Sequence, residues 1–225
     1  MTAPLVSAIM PVYNGETFLE AALDSLLAQD YEPFEVVVCD DGSTDRTPEI
    51  LASRPEVHVI QQENRGAAAA RNAAIAASHG EFAAFFDADD LWPKNRVSLQ
   101  VEYLTAHPEA GAVLGRQEWM SPPSWLARDA VYGDLDGIPL LSAMIRRRVF
   151  DELGGFDPSF RVAEDTDLLI RMRERNIEIA VLPVIILNRR FHGGNLTADR
   201  SAPNPIVRSL RAKLERERRL QQEDP

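Results

Sequence analysis

Residues 34–48 read FEVVVCDDGSTDRTP, and this stretch decides the fold class. Its first part, Phe34 to Cys39, is a short apolar run with three valines, which is typical of a buried strand. A polar loop with Asp40 and Asp41 follows, and Thr47-Pro48 supply the cap and the first residue of a helix. A strand that leads through a polar loop into a helix indicates a βαβ unit and therefore an α/β protein.

The same alternation of strands and helices occupies the whole first half of the chain. Strands are predicted at residues 5–12, 34–39, 57–60 and 82–86, and helices at 17–28, 48–53, 67–78 and 94–105. After residue 112 the pattern is less regular, with a strand predicted at 140–145, a helix at 166–174 and a strand at 178–187. This order predicts a Rossmann-like, mostly parallel sheet flanked by helices, with a smaller mixed region after it.

The length and the charge of the chain limit what it can be. Its 225 residues have room for one α/β domain with at most a modest appendage. An excess of 35 acidic over 24 basic side chains, a net charge of −11, disfavours a broad nucleic-acid surface. Residues 1–188 carry 15 basic and 30 acidic side chains (net −15), whereas residues 189–225 carry 9 and 5 (net +4). Residues 196–225 are therefore predicted as a basic helical tail that packs on the acidic domain or binds a partner.

Cysteine usage and hydropathy indicate a cytoplasmic protein. Cys39 is the single cysteine, so no intramolecular disulfide is expected. The longest apolar stretch, residues 177–187, includes Glu178 and Pro183 and is too short to span a bilayer. The N-terminus also lacks the basic start of a signal peptide. We expect no transmembrane span, and any membrane association is expected to be peripheral, at the inner face.

The fourth predicted strand ends in Asp87-Ala88-Asp89-Asp90. Carboxylates at positions i and i+2 at a strand end point to the same side, where they can share a divalent cation with ligand phosphates. In open α/β sheets ligands bind beyond the carboxyl ends of the strands, which favours a site here. The alternative is a solvated loop that caps the next helix.

Two other positions near this edge carry polar groups suited to a nucleotide. Asp41, after the second strand, can accept a hydrogen bond from a nucleobase or a ribose hydroxyl; helix capping without a ligand is the alternative. Arg71 lies one turn into a helix of small side chains, from where it can reach a diphosphate or the strand-end aspartates. A structural ion pair in a packing helix is the alternative for Arg71.

Two later segments carry groups that can move or hold a proton. Asp165 follows Glu164 just before an amphipathic helix, and a carboxylate there could act as a general base. Helix capping by Asp165 or Thr166 is the alternative. His192 stands at a strand end before two glycines, where it could bind a metal or a phosphate or serve only a structural role.

Taken in order, five motifs resemble those of family 2 glycosyltransferases of the GT-A fold. The motifs are residues 7–15 (SAIMPVYNG), 36–45 (VVVCDDGSTD), 64–66 (NRG) with 70–72 (ARN), 87–90 (DADD) and 164–165 (ED). The resemblance covers residues 5 to about 194 and implies an inverting, non-processive hexosyl transfer from a nucleotide-sugar with Mn²⁺ or Mg²⁺, and a UDP-sugar is the expected donor. The Q-x-x-R-W motif of processive members is absent from the sequence, so one sugar per encounter is expected.

The resemblance also implies a role for individual residues. The base of the nucleotide would be held by the loop of Pro11, Val12, Tyr13 and Asn14 and by Asp41. Arg71 would lie near the nucleotide and Asp87-Ala88 on its ribose side. Asp89 would bind the metal together with His192, and Asp165 would be the general base.

The resemblance further implies how the chain divides its tasks. Residues 1–110 would bind the nucleotide-sugar, and residues 111–195 would bind the acceptor and carry the base. The acceptor would be a carbohydrate, a lipid-linked sugar or another hydroxyl compound, and Trp119 and Trp125 are candidate stacking platforms or ordinary loop and core aromatics. A homo-oligomer is compatible with the sequence.

Two other functions stay open from the sequence. A sugar nucleotidyltransferase would share the sheet and the acidic metal site, but it should carry a glycine-rich basic loop after the first strand. Residues 11–16 contain no basic residue. A non-catalytic nucleotide-sugar-binding or scaffold protein is the other alternative, and the presence of both Asp89 and Asp165 argues against it.

Overall fold

The four strands predicted in the first half of the chain are present, each followed by a helix. The structure is a computed structural model and describes residues 2–120, 140–160 and 163–192. Its first eight elements are β1 (Val6–Val12), α1 (Leu19–Leu27), β2 (Phe34–Asp40), α2 (Thr47–Ala52), β3 (Val57–Gln61), α3 (Ala67–Ala77), β4 (Phe82–Phe85) and α4 (Arg96–Ala106). The bounds differ from the predicted ones by at most two residues.

The second half of the structure contains elements that the sequence did not indicate. Its elements are β5 (Ala110–Trp119), β6 (Met144–Arg146), α5 (Arg147–Leu153), α6 (Glu164–Glu174) and β7 (Glu178–Arg189). Strand β5 and helix α5 were not predicted. The predicted strand at 140–145 is wrong in its first half, because Leu140–Ser142 form a 3₁₀ turn. Trp125 and the basic tail, 196–225, lie outside the described residues.

Strand β5 went unpredicted because its glycines and alanines have low strand propensity. Two of its glycines are required by close packing instead. A Cβ on Gly111 would meet Ile177 at 2.2 Å, and one on Gly115 would meet Ile186 at 2.5 Å. These two close contacts are made with residues more than 60 positions later, which a local pattern does not reveal.

The strands form one seven-stranded sheet in the order β3-β2-β1-β4-β6-β5-β7. Strands β1 to β4 are parallel to one another, β6 is antiparallel to both β4 and β5, and β5 and β7 are parallel. The mixed part of the sheet is thus confined to β6. Because β1 lies between β2 and β4, the strand order reverses there, which is where open α/β sheets bind ligands.

The core lies on both faces of the parallel strands. All seven residues of β1 are buried, as is typical of a strand covered by helices on both sides. Helix α3 contacts β1 and β2 through small side chains, Ala70 and Ala74 among them, which bring its axis close to the sheet. This close approach places Arg71, on the same helix, within reach of the strand ends.

Arg96 is a fully buried arginine that joins the two halves of the sheet. Its guanidinium donates to the carbonyl of Leu141 at 2.8 Å and stacks on the ring of Trp92, 3.9 Å from the ring centroid. Burial lowers the pKa of Arg96 well below its usual range, and the nearby Asp90 opposes this shift. In the part of the chain that the structure describes, no helix is both long and apolar enough to cross a membrane.

Candidate active site

The loops that follow β1 and β2 are joined by hydrogen bonds and form one edge of the site. The amides of Asn14 and Gly15 donate to the hydroxyls of Ser43 (2.9 Å) and Thr47 (2.8 Å). The amide of Thr44 donates in return to Oδ1 of Asn14 at 2.8 Å. Asn14 has a φ of 51°, in the left-handed region that asparagine tolerates. The polar residues of the two loops therefore fix one another's backbone.

The four residues expected to hold the base do not share one environment. Pro11 and Val12 are buried members of β1, whereas Tyr13 and Asn14 are exposed beyond its end. Tyr13 is 52% exposed, so its ring is open to the crevice edge. The two exposed residues are the ones that a ligand could contact with side chains.

Asp41 is buried, and its carboxylate is surrounded by donors from the loop before α3. Oδ1 accepts hydrogen bonds from Nε2 of Gln62 (2.6 Å) and the amide of Arg65 (2.8 Å), and Oδ2 accepts one from the amide of Gly66 (2.8 Å). Gly66 has a φ of 90°, which favours glycine at this turn. Asp41 thus fixes the loop that leads into α3, and its expected contact with the base stays a prediction.

An acidic cluster follows β4. The amide of Asp90 donates to the carbonyl of Asp87 at 3.2 Å, which closes a tight turn. In this turn carboxylate oxygens of Asp87, Asp89 and Asp90 lie within 4.8 Å of one another. Ala88 is half-buried between the first two of them. The predicted convergence of carboxylates at this strand end is therefore present.

His192 joins the cluster from the end of the described chain. Its Nε2 lies 2.8 Å from Oδ2 of Asp89, although 103 residues separate the two. Its ring stacks on that of Phe18, with centroids 4.7 Å apart. The sequence motif around Asp89 and the late histidine are thus brought together by the return of β7 to this edge of the sheet.

Burial and the neighbouring carboxylates raise the pKa values of Asp89 and Asp90. Burial, followed by the Asp87 carboxylate, raises the pKa of Asp89, while the bond to His192 opposes the rise. Burial and the two neighbouring carboxylates raise the pKa of Asp90 to about 7, against the opposing charge of Arg189. Carboxylates that repel one another in this way are stabilised by a cation placed between them.

The segment Arg189–His192, called the 189–192 arm below, lies against the acidic cluster. The amide of Arg190 donates to Oδ1 of Asp90 at 2.9 Å, and Nε of Arg189 lies 3.8 Å from Oδ2 of Asp90. Just before the arm, Leu91 and Asn188 exchange two backbone hydrogen bonds of 2.9 Å. These contacts were not predicted, because they join residues about 100 positions apart.

Arg71 connects the acidic cluster to the start of α6. The side chain is buried, and its guanidinium forms ion pairs with Asp87 at 2.8 Å and with Glu164. Burial disfavours its charge, but the carboxylates of Asp87, Glu164 and Asp165 outweigh burial and raise the pKa of Arg71. Burial raises the pKa of Glu164, against the charge of Arg71. Glu164, for which no role was predicted, is thus a partner of Arg71.

Asp165 occupies the first turn of α6 beside this ion pair. Its Oδ1 accepts hydrogen bonds from the amide of Thr166 at 2.7 Å and from the Thr166 hydroxyl at 3.3 Å. Its Oδ2 accepts none from the described residues. Asp165 is half-buried, unlike Glu164, so next to the buried network it offers a carboxylate oxygen that no described residue binds.

The mixed α/β fold with its seven-stranded sheet matches the fold of GT-A glycosyltransferases. A sequence model of the family described as "Glycosyl transferase family 2" matches residues 7–162. The chain therefore belongs to glycosyl transferase family 2.

Two relatives show how much of this chain is shared with longer proteins. An uncharacterized glycosyltransferase of Rickettsia felis is 30% identical over 215 residues, which are 84% of this chain and 34% of the relative. The UDP-Glc:alpha-D-GlcNAc-diphosphoundecaprenol beta-1,3-glucosyltransferase WfgD of Escherichia coli is 40% identical over 104 residues, 44% of this chain and 41% of the relative. The chain thus matches less than half of the length of either relative.

Solved structures share the fold. S. aureus TarS 1-349 in complex with UDP has a TM-score of 0.72 at 24% identity, covering 83% of this chain and 60% of that one. The mannosyltransferase PcManGT of Pyrobaculum calidifontis, in complex with GDP-Man and Mn²⁺, has a TM-score of 0.68 at 25% identity, covering 95% and 70%.

Proposed function

We propose that the protein is a metal-dependent, inverting glycosyltransferase that moves one sugar from a UDP-sugar to an acceptor hydroxyl. One observation carries the proposal. The carboxylates at the end of β4, which can bind a cation, and the half-buried carboxylate of Asp165 at the start of α6 are held close together, because Arg71 is paired with both Asp87 and Glu164. Donor activation and proton removal require these two groups to be positioned together.

The side chains of the acidic cluster fit a divalent cation. Carboxylate oxygens and an imidazole nitrogen are ligands that Mn²⁺ and Mg²⁺ accept. Oδ2 of Asp89 and Nε2 of His192 are 2.8 Å apart, close to the roughly 3 Å between adjacent ligands of an octahedral ion with bonds of about 2.1 Å. Asp89 and His192 are the proposed ligands. When bound, the cation neutralises the charge that develops on the departing diphosphate.

The proposed donor site lies between the loops after β1, β2 and β4. Tyr13 and Asn14 would border the base, Asp41 would hold the loop before α3 in place, and Asp87 would face the ribose. UDP is proposed as the nucleotide because the relative WfgD is named for UDP-Glc and a structural neighbour was solved with UDP. GDP, which is bound in the mannosyltransferase neighbour as GDP-Man, is the competing nucleotide.

Asp165 is proposed to take the proton of the acceptor hydroxyl. Oδ2 of Asp165 would receive this proton while the hydroxyl oxygen forms a bond to the anomeric carbon. The bond between that carbon and the diphosphate oxygen breaks in the same step, so the configuration inverts. The Thr166 amide, bound to Oδ1 at 2.7 Å, holds the carboxylate in place during the transfer.

The acceptor is proposed to bind on the side of residues 111–195, and the donor on residues 1–110. Trp119 at the end of β5 is half-buried beside Arg189, whose guanidinium lies 4.6 Å from the ring centroid. A carbohydrate or lipid-linked sugar is the proposed class of acceptor, as in the name of the relative WfgD.

Calorimetric titration of UDP with and without Mn²⁺ tests the proposal. The wild-type chain is compared with Asp89→Ala and with Asp30→Ala, a matched change of an exposed aspartate outside the site. We expect Mn²⁺-dependent UDP binding in wild type and in Asp30→Ala, and its loss in Asp89→Ala. UDP binding that does not depend on Mn²⁺, or that is retained in Asp89→Ala, would contradict the proposed metal site. Tighter binding of GDP than of UDP would make GDP the nucleotide of the donor.

A further inference from the structure

We propose that Asp90 is not a third metal ligand but a positioning residue that holds the 189–192 arm, and with it His192, against the metal ligands. The inference rests on the proposed function for the role of His192. The carboxylates of Asp87, Asp89 and Asp90 lie within 4.8 Å of one another. In this proposal Asp87 and Asp89 face a ligand, and Asp90 organises the site.

Exposure separates Asp90 from its neighbours. The side chains of Asp87 and Asp89 are 32% and 29% exposed, whereas that of Asp90 is 3% exposed. A cation that also binds a diphosphate must be reached from the crevice. Asp87 and Asp89 meet this requirement, while Asp90 lies beneath them.

The contacts of Asp90 are directed to the arm. Oδ1 accepts the Arg190 amide at 2.9 Å, so it binds the backbone of the arm rather than a flexible side chain. Oδ2 lies 3.8 Å from Nε of Arg189, and this buried Nε has no hydrogen-bond partner in the described part of the protein. The charge of Asp90 therefore balances a buried cation as well.

The side chains of the arm alternate between two neighbours. Arg189 lies over Trp119, with its guanidinium 4.6 Å from the ring centroid, and Arg190 lies over Phe18 at 4.8 Å. His192, two residues after Arg190, also contacts Phe18 and reaches Asp89. Since Asp90 fixes the backbone at Arg190, it fixes which way the arm faces and therefore where the His192 ring lies.

The start of the arm is fixed separately. The two backbone hydrogen bonds between Leu91 and Asn188 do not involve the Asp90 side chain. A change at Asp90 is therefore expected to loosen residues 190–192 while the sheet, which includes Arg189, stays intact. Supporting groups of this kind typically change metal affinity 10- to 100-fold.

Hydrogen exchange of the metal-free full chain is the first test. Asp90→Ala removes both contacts, whereas Asp90→Asn retains an oxygen for the Arg190 amide. Glu118→Gln, a change of an exposed carboxylate on β5, controls for the loss of one charge. We expect faster exchange in residues 190–192 of Asp90→Ala only, with the sheet as in wild type. Unchanged exchange in Asp90→Ala would overturn the proposal.

Mn²⁺ affinity in the presence of UDP is the second test, arranged as a double-mutant cycle. Asp90→Ala is expected to weaken Mn²⁺ binding about 10- to 100-fold, and Asp90→Asn much less. In a His192→Ala background, Asp90→Ala should add less than about threefold, because both changes remove the same contact. Equal losses in Asp90→Ala and Asp90→Asn, or additive losses in the cycle, would make Asp90 a ligand and overturn the proposal.

The two tests also separate this inference from the proposed function. If wild type binds no Mn²⁺, the proposed function fails, and hydrogen exchange still decides whether Asp90 holds the arm. If wild type binds Mn²⁺ but the losses at Asp90 and His192 are additive, the proposed function stands and the positioning role of Asp90 is wrong.

Discussion

Arg71 of α3 and Glu164 of α6 form a buried ion pair across 93 residues of sequence. The same guanidinium binds Asp87 at 2.8 Å, so a single side chain links the acidic cluster to the residue before Asp165. Arginine suits this position because its planar fork can bind two carboxylates at once. The pair therefore fixes the start of α6 relative to the end of β4.

Replacement of Arg71 should destabilise the fold strongly. Arg71→Ala is expected to lower the free energy of unfolding by about 3–5 kcal/mol, because it leaves the buried Glu164 charge without a partner. Arg71→Lys should lie between wild type and Arg71→Ala, since an ammonium lacks the fork. Urea denaturation followed by circular dichroism measures both.

Arg54→Ala is the matched control for this prediction. Arg54 pairs with Asp24, whose side chain is 64% exposed, so its loss should cost less than about 1 kcal/mol. Equal unfolding midpoints for Arg71→Ala and Arg54→Ala would show that the Arg71 network does not support the fold.

Asp41→Ala should disturb the loop before α3 and, through it, the donor site. Three donors, from Gln62, Arg65 and Gly66, would lose their acceptor, and the expected loss of stability is about 3 kcal/mol. UDP affinity should fall together with stability, since this loop precedes the helix that carries Arg71. Thermal unfolding and calorimetry measure the two effects. A variant with full stability but no UDP binding would instead place Asp41 in direct contact with the nucleotide.

The positions of the functional residues at strand ends were predictable because β1 to β4 follow a local pattern of short apolar runs and helical periods. Contacts between residues that lie far apart in the sequence were not predictable from such a pattern. Asp87, Asp89 and Asp90 are the same residue type within four positions, and only the return of β7 buries the last of them. The pairing of Arg71 with Glu164 likewise depends on how α3 and α6 approach each other. Strand β5 was missed because Gly111 and Gly115 are explained by packing and not by strand propensity.

Cys39 should be unreactive in the folded protein. Its side chain is buried in β2, and burial, followed by the Asp41 and Asp40 charges, raises the pKa of the thiol to about 11. The thiolate, which is the reactive form, is therefore scarce between pH 7 and 9. In the unfolded chain the thiol has a pKa of about 8.5 and is more often ionised in this range. Iodoacetamide labelling followed by mass spectrometry should be slow in buffer and fast in guanidinium chloride. Rapid labelling of the folded chain at pH 8 would contradict the burial of β2.

Asp165→Asn should abolish transfer and leave donor binding almost unchanged. The amide retains an oxygen for the Thr166 amide, bound at 2.7 Å in wild type, so the first turn of α6 should keep its structure. Loss of a general base typically lowers kcat by 10²- to 10⁴-fold, roughly the effect expected here, while UDP affinity should stay within about twofold. The measurement is UDP release with the donor and acceptor that wild type uses. Glu174→Gln, an exposed change in the last turn of the same helix, should retain wild-type rates.

A comparison of Glu164→Gln with Asp165→Asn tests which of the two carboxylates is the general base and which one stabilises the fold. Glu164→Gln leaves Arg71 with one carboxylate partner, Asp87, and so should lower stability more than Asp165→Asn does. If Asp165→Asn keeps the wild-type kcat while Glu164→Gln loses it in a folded protein, the base would have to be Glu164. That assignment would require Glu164 to leave Arg71 when the acceptor binds, because an oxygen held by a buried guanidinium is a poor proton acceptor. Asp165 is half-buried and forms no ion pair with Arg71 among the described residues, whereas Glu164 is buried and paired with it, and this is why Asp165 is expected to carry the proton.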